Sequence, residues 1–270
     1  VKKVVVADAV GAMADAVFAA DASGLSASLA WTGVAAYTMQ IYFDFSGYSD
    51  MAIGLGRMFG FRFPENFLRP YSAGSITDFW RRWHVTLSRW FRDYVYIPWG
   101  GSRGSGAATY RNLVLVFLLC GLWHGANWTF VVWGAGHGML LVVERATGWR
   151  EPGGAGRRAL TLLLVIIGWV VFRADSLGHA GQIYVAMVGG GTGEAWGDIA
   201  TALTHRHLIT LALASFVVVL PASFSGPALL EGPAPLRPRI LRFALIGVLL
   251  PWALLLAAAG TFSPFLYYQF

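Results

Sequence analysis

The chain alternates long apolar runs with short polar or glycine-rich breaks, and no stretch shows the two-residue alternation of a half-buried strand. Val1 to Asp21 is a short amphipathic segment, interrupted by Asp8 and Asp15 and so unsuited to spanning a bilayer. Leu29 to Phe43 is a membrane-helix candidate that continues into YFDFSGYSDMAIGLGRMFGF. The whole stretch from Leu29 to Phe61 is long enough to cross about 30 Å of hydrocarbon. Asp44 and Asp50 are too far round a helix from one another to share a face, so bonds to local backbone or to arginines are expected of them before any catalytic pairing.

Ser75 to Pro98 predicts a helix lying in the membrane interface. At helical spacing its aromatic residues, among them Phe79, Trp80, Trp83 and Trp90, gather on one side, and Arg81, Arg82, Arg89 and Arg92 on the other. His84 falls at the edge of the aromatic side, where it is either a functional imidazole or an amphipathic filler. Asn112 to Leu141 (NLVLVFLLCGLWHGANWTFVVWGAGHGMLL) is apolar except for two histidines and a Gly125-Ala126-Asn127 step that can break a helix. An ionisable group at membrane depth is costly and tends to face a bundle interior or a wet cavity. His124 is therefore expected either to line a cavity or to be satisfied by a neighbouring helix. On a continuous helix His124 and His137 would face apart, and spacing alone leaves open whether the break brings them together.

Further spans are predicted at Ala159–Phe172, closing on Arg173 and Asp175 that snorkel to the surface, at Leu208–Phe224, and at Ile240–Ala259 with Pro251 as a kink site. Ser176 to His207 reads as a loop, with His179, His205 and His207 facing solvent. The pattern as a whole predicts an all-α, polytopic membrane protein, with roughly five to seven membrane-embedded helices and interfacial amphipathic helices around a central cavity.

Composition sharpens this reading. Of 270 residues, 56% are hydrophobic and 13% charged, far from the soluble balance of about a quarter charged. Twelve Trp, ten Tyr and eighteen Phe suit the aromatic belts of a membrane interface. The net charge is +6, and nine of the twenty Lys and Arg lie between Arg57 and Arg111. That block fits anionic headgroups or an anionic substrate. Nucleic acid is not expected as a partner in so apolar a chain. Cys120 lies within an apolar run and reads as a small hydrophobe. The GGSRGSG turn lacks the Gly-Lys-Ser/Thr ending of a phosphate loop, the GGGTG run has no preceding strand for a dinucleotide fold, and no metal centre is predicted.

Several segments, in order, resemble the membrane-bound O-acyltransferase (MBOAT) family, in particular its bacterial branch that acetylates exopolysaccharides. They are YFDFSGYSDMAIGLGRMFGFRFPENF, DFWRRWHVTLSRWFRDYVYIPWGG, GLWHGANWTFVVWGAGHG, VFRADSL and the closing FLYYQF. The resemblance implies a bacterial inner-membrane, multi-pass enzyme, with His124 in the position of the family's catalytic histidine and His84 in that of a second functional one. Residues 1–270 would then form a single, partial domain, the C-terminal half to two-thirds of a longer protein with more helices ahead.

Acetyl transfer to a sugar hydroxyl needs a base, and a neutral imidazole, the form that apolar neighbours such as Leu122, Trp123 and Trp128 favour, can serve. A competing mechanism makes His124 a nucleophile that carries the acetyl group. Asn127 or His84 is expected to donate to the developing oxyanion, Trp123 to line the substrate side, and Arg81 and Arg82 to meet the phosphates of the donor or of anionic lipids. Acetyl-CoA or another acyl thioester is the expected donor, with no resident cofactor. A polysaccharide and an extracytoplasmic acetyltransferase are the partners implied. D-alanyl transfer to teichoic acid by the same fold, or a transporter using intramembrane histidines, are the alternatives.

Overall fold

A computed structural model describes residues 1–149, 153–200, 203–220 and 236–260, and over these the chain is helical without a strand. A π-helical turn, Lys2–Ala7, leads into α1 (Asp8–Ala19), which lies against the long α2 (Ala27–Met58). Ser26 caps α2 by accepting from Leu29 N, and the helix then runs 32 residues, roughly 48 Å at 1.5 Å per residue. Gly33 allows the α1–α2 contact, since a Cβ there would lie 2.3 Å from Val17 Cγ1. Asp44 and Asp50 do pair with cations, but with lysines from the start of the chain. Lys3 Nζ stands 2.7 Å from Asp44, which is buried, and Lys2 Nζ 2.7 Å from Asp50.

The predicted interfacial helix is two helices. α3 (Ile76–Arg82) and α4 (Val85–Phe91) are separated by a break at Trp83 and His84, and a π-helical turn, Arg92–Tyr96, continues α4. The break lies at a left-handed His84 and not at a Gly or Pro, so the helical wheel drawn through all of Ser75–Pro98 does not hold. Phe79, Trp80 and Trp83 are buried, while Trp90, assigned to the same side, is exposed.

α5 (Gly106–His124) and α6 (Trp128–Thr147) form an antiparallel hairpin packed on glycines. A Cβ on Gly121 would lie 2.3 Å from Phe130 O, and one on Gly134 2.2 Å from Phe117 O. In hydrocarbon, apolar side chains gain little from meeting each other, and small residues that let backbones approach supply the packing instead. α7 (Ala155–Arg173) crosses this pair. Trp169 stacks on Trp133 with centroids 5.9 Å apart and donates through Nε1 to Tyr71 OH at 3.2 Å. Tyr71 OH in turn donates to Thr38 O of α2 at 2.8 Å. Aromatic pairs of this kind add about 0.5–1.5 kcal/mol each beyond the area they bury.

Arg173 does not snorkel. It pairs with Asp15 at 2.8 Å and lies over the rings of Phe18 and Tyr37. The segment from Ser176 is not a loop throughout: α8 (Leu177–Met187) follows, capped by Ser176, with the short α9 (Trp196–Ile199) beyond it. His179 is half-buried on α8, edge-on to Phe18, whereas His205 is exposed. α10 (His205–Val219) and α11 (Leu236–Ala259) complete the described chain, α11 continuing as helix through Pro251. The closing FLYYQF lies outside the described residues.

Two helices, Gly106–His124 and Ala155–Arg173, are long and apolar enough to cross a membrane, and His205–Val219 and Ile246–Ala259 are shorter apolar segments. Length and composition among the described residues therefore support two spans, fewer than the five to seven expected.

Candidate active site

Two local features present His124 at the end of its helix. Gly125 has φ 155° and ψ 162°, a conformation that suits glycine, and a Cβ there would lie 2.8 Å from the Phe130 ring. Asn127 then caps α6: its Oδ1 accepts from Thr129 N at 3.1 Å, and its Nδ2 donates to Asp175 O at 3.1 Å. The predicted break is real, and Asn127 builds it. The polar atoms assigned to substrate hold the turn to the segment after α7.

His124 is 6% exposed. Its ring meets Trp123 at 4.9 Å, Phe172 at 5.1 Å, Trp133 at 5.3 Å and Phe130 at 6.2 Å between centroids. The enclosure therefore comes from α6 and α7. Leu122 and Trp128, expected as walls, are 52% and 72% exposed, because the helix end turns them outward. His137 does not join His124. Trp133 stands between them, 5.3 Å from one ring and 5.1 Å from the other. His137 Nδ1 accepts from Trp80 Nε1 at 3.3 Å inside a closed aromatic box, which makes it a core histidine.

The imidazole that does approach His124 is His84. Trp123 packs against both, 4.9 Å from His124 and 6.3 Å from His84 between centroids. His84 has φ 44° and ψ 55°, left-handed geometry that costs a non-glycine residue about 1–2 kcal/mol. Strain of this kind gathers at functional sites. Its ring lies edge-on to Phe45 of α2 at 4.7 Å, and its Nδ1 is 3.5 Å from Thr86 Oγ1. Burial pushes the His84 imidazole down to about 4, so it is neutral at neutral pH.

α3, which delivers His84, is held from α6. The buried Glu144 carboxylate accepts from Ile76 N, from Thr77 N at 2.9 Å and from Thr77 Oγ1 at 2.8 Å. Sequence reading missed Glu144, although a lone acid in an apolar helix was a signal in plain view. It also missed Phe172, Trp133 and Phe45, which only the fold brings to the histidines.

The two arginines assigned to phosphate part company. Arg82 Nε pairs with Asp78 at 2.8 Å, and its Nη1 donates to Ser72 Oγ. Arg81 is exposed and lines a cavity of about 610 Å³ with Arg89, Arg92 and Arg145; neither His84 nor His124 lines it. Among the described residues no three His, Cys, Asp or Glu side chains converge to hold a metal ion.

A helical bundle with two helices of membrane-spanning length and two imidazoles packed on one Trp, one closing an apolar helix and one on a strained turn, suits a membrane protein with a candidate histidine site. Comparison with known proteins gives that class a name. The sequence profile of the MBOAT, membrane-bound O-acyltransferase family, matches residues 10–150, and the chain belongs to that family. It is similar to the probable alginate O-acetylase AlgI of Pseudomonas aeruginosa, 44% identical over 100% of this chain and 62% of that protein. It is 46% identical to the peptidoglycan O-acetyltransferase of Helicobacter pylori over 70% of this chain and 37% of the relative. Against the teichoic acid D-alanyltransferase of Bacillus subtilis it is 38% identical over 39% of this chain and 28% of the relative. The chain spans 59 to 62% of the length of the alginate O-acetylases it matches from end to end.

Proposed function

We propose that the full-length protein is a multi-pass O-acyltransferase of the bacterial inner membrane, moving an acetyl group from a thioester to a polysaccharide hydroxyl or to a partner acetyltransferase outside the cytoplasm. The observation that carries this reading is the convergence of a buried imidazole at the end of α5 with a second imidazole held on a strained backbone. The full five to seven spans belong to the same proposal. So does a coenzyme A thioester as donor.

In this mechanism a His124 ring nitrogen accepts the proton of the acceptor hydroxyl as its oxygen attacks the thioester carbonyl. The carbon–sulfur bond then breaks, and the thiolate leaves with the proton returned from the imidazolium. His84, neutral at the relevant pH, donates from its ring to the developing oxyanion. Trp123, packed on both imidazoles, forms the wall along which the thioester lies. Acetyl is favoured over D-alanyl because the similarity to alginate O-acetylases runs along the entire chain, whereas that to a teichoic acid D-alanyltransferase covers 39% of it.

The test is release of labelled acetyl from a thioester in membranes holding the full-length protein. His124→Ala is expected to lower the rate by about a hundred- to ten-thousand-fold, the range a positioned general base supplies. Full transfer by this variant, with a fall in the transport of some solute instead, would end the enzymatic reading.

A further inference from the structure

The cavity beside Arg81 is lined by neither of the two imidazoles. It lies between α3, α4 and the following π-turn on one side and the α5–α6 hairpin on the other. Four arginines, Arg81, Arg89, Arg92 and Arg145, line it, and no Asp or Glu is among its lining residues. Asp93 pairs with Arg92 from outside the lining, and the nearby Glu144 is engaged by the start of α3. Arg145 reaches the mouth, where its Nη1 donates to Ser102 Oγ at 3.2 Å. The far wall is apolar: Leu113, Val116, Phe117 and Cys120, at the i, i+3, i+4, i+7 spacing of one face, make a stripe about 10 Å long. One end therefore suits a phosphate and the other a hydrocarbon chain.

A phosphate joined to an apolar chain could come from a membrane lipid or from the arm of a thioester donor. Two observations favour the lipid. Neither His84 nor His124 is among the lining residues, so a ligand confined to this cavity does not present a carbonyl to them. The helix forming its floor is long and apolar enough to cross the bilayer, and it carries exposed Leu115 and Leu119, side chains suited to lipid tails. Basic pockets between membrane helices are where anionic headgroups bind.

We infer that this cavity holds one anionic phospholipid, its phosphate among Arg81, Arg89, Arg92 and Arg145 and one acyl chain along the Leu113–Cys120 stripe. The inference stands whether or not the protein transfers acyl groups. A bound lipid would join α4 to the hairpin through its headgroup.

The test is native mass spectrometry of the full-length protein released from bilayers of phosphatidylcholine containing phosphatidylglycerol. One phosphatidylglycerol is expected to stay bound in preference to phosphatidylcholine. Arg89→Gln with Arg145→Gln is expected to weaken its retention about thirtyfold, from the attraction each surface cation contributes. Arg89→Lys with Arg145→Lys keeps the charge and most of the binding, and an unchanged melting temperature in all variants excludes misfolding. Equal retention of the two lipids overturns the inference. Displacement of the bound lipid by equimolar coenzyme A also overturns it and assigns the cavity to the donor.

Discussion

His124 and His137 sit on the two arms of one hairpin, touch the same Trp133, and are both buried among aromatic rings, yet they are prepared for different work. His137 lies within α6, so its backbone is committed to the helix and its Nδ1 to Trp80. His124 closes α5 where the chain turns, and its neighbour across Trp123 is an imidazole on a left-handed residue. Burial among aromatics therefore does not mark a reactive histidine. What sets His124 apart is its place at a helix end beside a second imidazole, since α3 reaches His137 as well, through Trp80.

The widest separation between the two should appear on truncation. His124→Ala is expected to lose about a hundred- to ten-thousand-fold in acetyl transfer per folded molecule. His137→Ala is expected to cost about 2–5 kcal/mol of stability, as buried large-to-small changes do, with turnover per folded molecule kept. Equal losses of turnover in the two, measured beside thermal denaturation in detergent, would erase the distinction. Next in size, Gly134→Ala should destabilise the hairpin by about 1–3 kcal/mol or more, since its Cβ would meet Phe117 O at 2.2 Å. Both histidines ride on that hairpin, so transfer should fall with the melting temperature and not independently of it.

A smaller effect with opposite signs is expected at His84. His84→Gly relieves left-handed strain worth about 1–2 kcal/mol while removing the imidazole. Transfer should fall even where stability holds or rises. A variant that loses stability and keeps its rate would show that the strain serves packing alone. The finest test is pH. The His84 imidazole is pushed from 6.5 to about 4 by burial, so between these values the unfolded chain binds a proton that the folded chain refuses. Its contribution to stability is present above about 6.5 and lost as pH falls through about 4. His84→Gln should flatten that part of the stability profile, and an unchanged slope would show that the ring is better hydrated than its surroundings suggest.

What could be read from sequence was whatever local chemistry decides. The hairpin break was legible because Gly125 and Asn127 are residues that end and begin helices, and the long α2 because its apolar run is long. The break before α4 was not, since it rests on a histidine taking a glycine-like conformation under tertiary pressure. α8 was hidden by Gly178 and Gly181, which dilute its apolar pattern although Ser176 caps it. Around His124 the residue itself could be named but its walls could not. Phe172 and Trp133 reach it only through the crossing of α7 over the hairpin, and sequence-adjacent Leu122 and Trp128 point away. Asn127, expected to face the oxyanion, caps α6 and bonds Asp175 O, and Arg82, expected at a phosphate, pairs with Asp78.

The grip of Glu144 on Ile76 and Thr77 has a consequence for how the family can vary. Because α6 locates the beginning of α3, the chain arriving from α2 does not have to. Of the connection after α2, only the stretch before Asn66 is thereby free to lengthen or shorten, because Asn66 O accepts from Val85 N at 3.1 Å and Asn66 Oδ1 from Thr86 N at 3.1 Å. Residues inserted there should leave the distance between the two imidazoles untouched, whereas a single residue added between Thr77 and His84 would displace one of them by a third of a helical turn.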